Sequence, residues 1–188
     1  MKTIGKTLKA SRLAKKYSLS FVEEKTKIRK GRVQIITNGG GYGIITTDNI
    51  ANTSNLKMAK MSNTLAKILR KKFPSTVNIG NPLDLVGDAQ SDRYEFALNY
   101  LIKDKNIDVL VLIVLIQTPI IVEDLEKIML KYKKLTTKPI VAISTGSKKV
   151  ESFLEDLQTS EIVTFNFPEN AIKALDKLAW YEKKRTHL

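Results

Sequence analysis

The feature that most constrains the fold is an uninterrupted apolar run, Val109 to Ile116, near the middle of the chain. Eight residues are too few to span a bilayer, but they match the length of a β-strand. Because the run has no polar face, the strand that it predicts must be covered on both sides. Parallel sheets with helices on both faces provide that environment.

Shorter apolar runs alternate with amphipathic segments on either side of this strand. Strands are predicted at 32–37, 56–61, 77–86 (interrupted at Asn81-Pro82), 107–116, 139–145 and 162–167. Helices are predicted at 43–51, 64–73, 91–103, 122–135, 150–157 and from Pro168 onward. This alternation indicates βαβ units with right-handed crossovers. We therefore expect an α/β fold over residues 31–188, a doubly wound, flavodoxin-like parallel sheet.

The net charge of +13 is concentrated at the start of the chain. Residues 1–30 contain ten Lys or Arg and two Glu, and so hold eight of the thirteen net charges. We interpret them as a basic linker or the remnant of a preceding domain; a targeting segment is less favoured, because their apolar residues keep only a loose helical period. A nucleic-acid-binding module is also less favoured, since Tyr17 and Phe21 are their only aromatic residues.

The usual reacting side chains are missing from the sequence. The chain has no cysteine, which excludes disulfides and thiolate metal sites and favours the cytoplasm. The one histidine, His187, is next to the last residue, so Ser144 and Ser147 have no histidine to form a catalytic triad. No His/Asp cluster has metal-ligand spacing. We predict no catalytic residue and no metal ligand, and a chain that binds or completes another protein's active site.

Three loops are predicted at the carboxyl edge of the sheet, where ligands of open α/β proteins bind. They are Asn38–Gly43, Gly87–Ser91 and Gln117–Pro119. Glycines and helix N-termini suit a phosphate or carboxylate. The first loop is neither a dinucleotide fingerprint, since Ile44 stands at the third glycine position, nor a P-loop. Tight turns that glycine merely permits are the alternative interpretation.

Local patterns around these loops give further expectations. Asp88 is predicted to cap the helix that follows it, and Asp92 and Glu95 are spaced as in a loose capping box. In the helix after the first loop, the residues available to pack against the rest of the domain are Ile44, Ile45, Thr47 and Ile50.

Two segments resemble motifs of the ADP-forming acyl-CoA (acetate–CoA) synthetases, which are relatives of succinyl-CoA synthetase. Residues 35–48, IITNGGGYGIITTD, resemble the family's TNAGGPG…D segment, and residues 80–89, GNPLDLVGDA, are similar to its NP-D-GDA segment. Arg93 and Tyr94 follow as they commonly do, and Gln117–Pro119 is similar to the third strand exit. The resemblance implies a domain equivalent to the flavodoxin-like C-terminal domain of the succinyl-CoA synthetase β subunit.

The resemblance also implies a function. The family converts acyl-CoA, ADP and phosphate to acid, CoA and ATP through a phosphohistidine, which faces helix N-termini from two such domains. It implies that this chain would help form the pocket for acyl phosphate or carboxylate. The contact residues would be Asn38, Gly39, Gly40, Gly41, Gly43, Gly87, Asp88, Ala89, Gln90 and Ser91.

Several parts of the family's machinery have no counterpart here. Residues 1–30 contain no histidine, and Tyr42 replaces the usual proline of the glycine loop. The resemblance therefore implies protein partners that carry the phosphohistidine, CoA-binding and ATP-grasp domains. CoA and ADP/ATP with Mg would bind through those partners, and the chain alone would be inactive. A stand-alone relative that binds an acyl, CoA or phosphate ligand remains the alternative.

Overall fold

The computed structural model describes residues 28, 30–116, 120–146, 148–160 and 162–185. The strands are β1 (Arg32–Thr37), β2 (Lys57–Met58), β3 (Leu83–Asp84), β4 (Val109–Ile113), β5 (Ile140–Ile143) and β6 (Val163–Phe165). The helices are α1 (Gly40–Ala51), α2 (Asn63–Lys72), α3 (Ser91–Leu101), α4 (Ile120–Lys134), α5 (Lys148–Thr159) and α6 (Pro168–Arg185). In these ranges, none of the helices is long and apolar enough to cross a bilayer.

All strand pairs between these elements are parallel, in the order β2–β1–β4–β5–β6, with β3 also paired to β1. β4 is buried along its whole length, which agrees with its fully apolar sequence. The predicted flavodoxin-like parallel sheet is confirmed.

The helices cover two faces of the sheet and enclose two clusters of buried side chains. One cluster joins β4 to α2, α3, α4 and α5 through residues such as Leu69, Leu98 and Phe153. The other lies under α1 and α6 and includes Ile50 and Ile172. Helices on both faces explain why β4 carries no polar side chain.

One edge position of the sheet is shared by two short strands. β2 pairs with the first residues of β1, and β3 pairs with the last, so that Thr37 lies opposite Asp84. The sequence predicted an extended segment over residues 77–86 with an interruption at Asn81-Pro82; within it the structure has β3, after the interruption, and a bridge between Asn78 and Asp84. Helix α2 is inserted between the two halves of this edge.

The side chain of Asn81 fills the gap between β2 and β3. Its Oδ1 accepts a hydrogen bond from Ile35 N at 2.9 Å, and its Nδ2 donates to Val33 O and Ala59 O at 2.7 and 3.0 Å. A carboxamide has the same donor and acceptor groups as a peptide unit. Asn81 therefore continues the hydrogen bonding of β1 where no strand residue is available.

At the amino edge of the sheet, an ion pair joins the starts of β1 and β4. Asp108 is 7% exposed and accepts bonds from Arg32 Nε and Nη2, both at 2.9 Å, and from the Arg32 backbone N–H. Burial alone would raise the pKa of Asp108, but the bonds from Arg32 outweigh it and lower the pKa below its ordinary value. Asp108 is therefore ionised at neutral pH, and the pair pins the two central strands together.

Candidate functional site

The carboxyl edge of the sheet brings the first two predicted loops together. Leu85 N donates to Thr37 O at 2.7 Å, so the residues that leave β1 and β3 run side by side. A Cβ atom built on Gly40 would lie 2.9 Å from Asp84 Oδ2. The third predicted loop, Gln117–Pro119, lies outside the described residues.

The glycine loop is shorter than predicted, because α1 already begins at Gly40 rather than at Gly43. Gly39 is the N-cap and supplies no side-chain cap. Instead, Thr37 Oγ1 accepts from Gly39 N at 2.9 Å and donates to Gly39 O at 3.0 Å. Within the described ranges, the backbone N–H groups of Gly40, Gly41 and Tyr42 have no acceptor. They leave a cluster of free donors at the positive end of α1.

The glycines of this loop differ in how much space surrounds them. A Cβ on Gly39 would lie 2.3 Å from Leu115 Cδ1, whereas a Cβ on Gly41 would meet nothing within 4 Å. Gly43 is intermediate, with Thr37 Cγ2 at 3.2 Å. A side chain at position 39 would therefore require Leu115 to shift, whereas Gly41 faces open space.

The side chain of Asn38 connects the first loop to the backbone of Leu115. It is 3% exposed, its Oδ1 accepts from Leu115 N at 2.8 Å, and its Nδ2 donates to Leu115 O at 2.9 Å. These two bonds tie the exit of β1 to the exit of β4. The side-chain amide is thus engaged with the backbone, and its geometry makes Asn38 a positioning residue.

The second loop is a tight turn between β3 and α3. Val86 has φ +61, a left-handed conformation that is costly for a β-branched residue. Two hydrogen bonds hold it there: Val86 N donates to Asp84 Oδ1 at 3.0 Å, and Ala89 N donates to Val86 O at 3.0 Å. Ala89 is fully buried, while Gly87 is exposed.

The predicted caps of α3 are wrong. Gln90 is the N-cap and makes no side-chain cap bond, so neither Asp88 nor an Asp92–Glu95 capping box ends the helix. Asp88 instead pairs with Arg93 through two bonds of 2.7 and 3.1 Å, and this pairing lowers the pKa of the Asp88 carboxyl. Glu95 accepts from Lys131 Nζ on α4 at 2.7 Å. Each of these carboxylates pairs with a cation, and the ion pair is stronger than a hydrogen bond to a free backbone N–H.

Because no side chain caps α3, its first amides stay available. In the part of the chain that the structure describes, the backbone N–H groups of Gln90, Ser91 and Asp92 have no acceptor. Gln90 is exposed and Ser91 is half-buried. The second loop therefore ends, like the first, in free amides at a helix N-terminus.

Tyr94 fixes the first turn of α3 to the sheet. Its side chain is fully buried, and its hydroxyl donates to Ile113 O, at the end of β4, at 3.0 Å. Burial raises its pKa far above the ordinary value of 10.0, and the Asp84 carboxylate adds to the rise, so the hydroxyl stays protonated. The sequence placed Tyr94 on the packing face of a helix but gave no sign of this polar contact.

Asp84 is a residue of the site to which the sequence pattern assigned no role. Its Oδ2 lies beside Gly40, at the positive end of α1, and its Oδ1 holds Val86. Its position after the Asn81-Pro82 pair was the available signal. Asp84, Asp88 and Asp92 are carboxylates around these loops, and Arg93 is a cation that pairs with Asp88. Attraction to an anion must therefore come from backbone amides rather than from side-chain charge.

An open cavity of about 420 Å³ lies elsewhere, at the amino edge of the sheet. Its lining includes Arg32, Lys60 and Ser62. The Arg32 guanidinium already binds Asp108 and, at 2.7 Å, Lys105 O. The cavity therefore offers no free guanidinium, and it is remote from the free amides at the carboxyl edge.

The comparison with protein families decides the assignment. Residues 33–186 match the family model described as the Ligase-CoA domain. The chain belongs to the Ligase-CoA domain family. This match confirms the resemblance seen in the two motifs.

The relatives of this Ligase-CoA domain include ADP-forming acetate–CoA ligases. The II subunit alpha of the Pyrococcus furiosus enzyme is 30% identical over 149 residues, which are 76% of this chain and 32% of that protein. Enzyme I of Archaeoglobus fulgidus is 29% identical over 84% of this chain and 22% of its own length. The chain thus spans about a third or less of the length of these relatives.

Solved structures agree with this grouping. A Pyrococcus horikoshii protein superposes with a TM-score of 0.77 and 26% identity, over 82% of this chain and 36% of that one. The dinucleotide-forming acetyl-coenzyme A synthetase 1 of Candidatus Korarchaeum cryptofilum, in its apo form, gives 0.75 and 25% identity over 84% and 35%. The Ligase-CoA domain is therefore a domain-sized portion of larger relatives.

Proposed function

We propose that this Ligase-CoA domain is a domain or small subunit of an ADP-forming acetate–CoA ligase. It would help form the pocket in which acyl-CoA, ADP and phosphate are converted to acid, CoA and ATP. The observation that carries the proposal is the family match over residues 33–186, a range that includes the two loops with free amides. We place the chain in the cytoplasm because it contains no cysteine.

The division of labour follows from which groups the site contains. The described part of the site offers backbone amides and paired carboxylates, and no histidine or other nucleophile with a base. The phosphohistidine, the CoA-binding domain and the ATP-grasp domain would come from protein partners, and CoA and ADP/ATP with Mg would bind to them. Residues 1–30 would be the linker that precedes the domain.

The role of this chain is to stabilise negative charge on an acyl phosphate or on the phosphoryl group in transit. Gly40 and Gly41 let the start of α1 approach the group closely, with Gly39 closing the loop, whereas Gly43 is buried and donates its N–H to Gly39 O. Gly87 to Ser91 present the start of α3. Each charge-assisted N–H bond contributes about 1.5–3 kcal/mol. Donors already fixed by the fold act without reorganisation, which is how preorganised sites lower a barrier.

Reconstitution tests the proposal. The chain is mixed with the ligase polypeptides of the same organism that carry the histidine, CoA and nucleotide sites, and ATP formation from acetyl-CoA, ADP and phosphate is followed. We expect no ATP from the chain alone or from the partners alone, and formation in the mixture that saturates with added chain. ATP made by the chain alone, or by the partners at a rate that the chain does not change, would contradict the proposal.

A direct binding measurement distinguishes the proposed ligase subunit from the alternative, a stand-alone protein that binds an acyl, CoA or phosphate ligand. In a calorimetric titration of the purified chain with CoA, we expect no binding at micromolar CoA. Micromolar affinity for CoA, with no effect of the chain on its partners' activity, would instead identify a binding protein that works by itself.

A further inference from the structure

The outward face of α1 is apolar, although α1 is not the only described helix with exposed hydrophobic residues, since α6 exposes Trp180 and Tyr181. The exposed residues of α1 fall at Gly41, Ile44, Ile45, Asp48 and Ala51, the spacing of one continuous helical stripe. Ile44 is 63% exposed and Ile45 is 43% exposed. Of the residues that the sequence made available for packing, Ile50 is buried, together with Gly43 and Thr46, whereas Ile44 and Ile45 face outward. Two neighbouring isoleucines are left without a cover.

The charge of α1 sets it apart as well. Asp48 is its one charged residue, whereas each of the other described helices carries three or more. On a chain of net charge +13, an almost uncharged helix face is a local exception. Surfaces that form the centre of a protein interface are depleted of charge in this way. Small residues at both ends of the stripe, Gly41 and Ala51, leave room for a partner to approach closely.

The position of the stripe indicates its occupant. It begins at Gly41, whose backbone N–H is one of the free donors of the proposed site. Whatever delivers an anion to that donor must approach this end of α1. In the ligases that the chain matches, the corresponding region is only 20% to 34% of the polypeptide, so most of each relative lies outside it.

We propose that the stripe Gly41, Ile44, Ile45, Asp48 and Ala51 is the docking surface for the ligase domain that carries the phosphohistidine. This docking surface rests on the proposed function and extends it, because it states where the domain that carries the phosphohistidine binds. The partner should present an apolar patch whose one charged residue is a basic group opposite Asp48. Burial of Ile44 would then hold the histidine domain against the free amides.

The test is a binding titration of the full chain against the purified ligase polypeptide of the same organism that carries the histidine. The variant is Ile44→Lys, which puts a charge in the stripe while its i, i+4 spacing to Asp48 supports the helix. The control is Leu135→Lys, since Leu135 after α4 is 63% exposed, as Ile44 is. We expect Ile44→Lys to weaken binding about 10- to 30-fold, and Leu135→Lys to change it less than about twofold.

The outcomes separate the surface from the function. Ile44→Lys binding as tightly as wild type, with ATP formation intact in both mixtures, would overturn the docking surface and leave the ligase function standing. Failure of the wild-type chain to bind or to raise ATP formation would overturn both. If Ile44→Lys converts a dimer of the chain into a monomer without weakening partner binding, the stripe binds a second copy, which also overturns the proposal. Circular dichroism and the melting temperature check that each variant is folded.

Discussion

Gly39 and Gly41 lie two residues apart at the start of α1, and the space around them differs. An added methyl group on Gly39 would collide with Leu115, whereas on Gly41 it would meet open space. We expect Gly39→Ala to lower the free energy of unfolding by about 1–3 kcal/mol, the usual cost of overpacking. Gly41→Ala should stay within about 0.5 kcal/mol of wild type or slightly above it.

Urea denaturation of the two variants, followed by circular dichroism, gives both values. Equal losses would mean that the loop is limited by backbone conformation rather than by contact with Leu115. A stable Gly39→Ala variant would show that Leu115 moves aside without cost.

At the same scale, sequence patterns predicted positions better than contacts. The glycine and Asp-rich motifs were located correctly at the carboxyl edge. However, Asp88 was expected to cap α3, and it pairs with Arg93 instead. A capping preference considers only how a residue bonds to the N–H groups of the helix beside it. It leaves out Arg93, five positions after Asp88, whose guanidinium binds the carboxylate more strongly than those N–H groups do. The strained Val86 and the buried hydroxyl of Tyr94 depend on tertiary packing and leave no local pattern.

At the scale of elements, Asn81 acts as a piece of strand. Its three hydrogen bonds satisfy groups of β1 and of the segment after β2. We predict that Asn81→Ala lowers the free energy of unfolding by about 2–4 kcal/mol, because it leaves partly buried backbone groups unpaired. Asn78→Ala, in the same loop, should change it by less than about 0.5 kcal/mol, since its side chain is exposed.

Chemical denaturation compares the two asparagine variants, and hydrogen exchange at Ile35 locates the effect. Loss of protection at Ile35 in Asn81→Ala is the expected signature. If the two variants are equally stable, the carboxamide does not contribute to the sheet.

The elements that the sequence predicted well are those with strong periodicity. β4 and α3 follow directly from an apolar run and a helical stripe, and both were found close to their predicted positions. The edge shared by β2 and β3 could not be predicted, because a side chain replaces the backbone there and has no period. The start of α1 was predicted at Gly43 rather than at Gly40, because glycines in a sequence indicate a loop and their helical hydrogen bonds leave no sequence pattern.

At the scale of the whole molecule, charge and composition gave limited guidance. The net charge of +13 suggested nucleic acid, yet the described site consists of backbone amides and carboxylates around Arg93. Family membership and the pairing of two loops at one edge of the sheet carry the function instead. Both depend on order along the chain and on topology, and neither depends on overall composition.

Ser91 allows the most direct test of the claim that bare amides in this chain serve a partner's chemistry. It is the first residue of α3, where proline is well tolerated, and Gln90 before it is extended (φ −92, ψ 174), as a following proline requires. Ser91→Pro removes one free N–H, and Ser91→Ala removes only the hydroxyl.

The measurement is the rate of ATP formation by the reconstituted ligase with each variant at saturating concentration of the chain. We predict that Ser91→Pro lowers kcat about 100-fold, as the loss of one preorganised donor does elsewhere. Ser91→Ala should stay within about twofold of wild type, and both variants should fold. Equal rates for Ser91→Pro and Ser91→Ala would contradict the claim that the amides at the start of α3 bind the reacting anion.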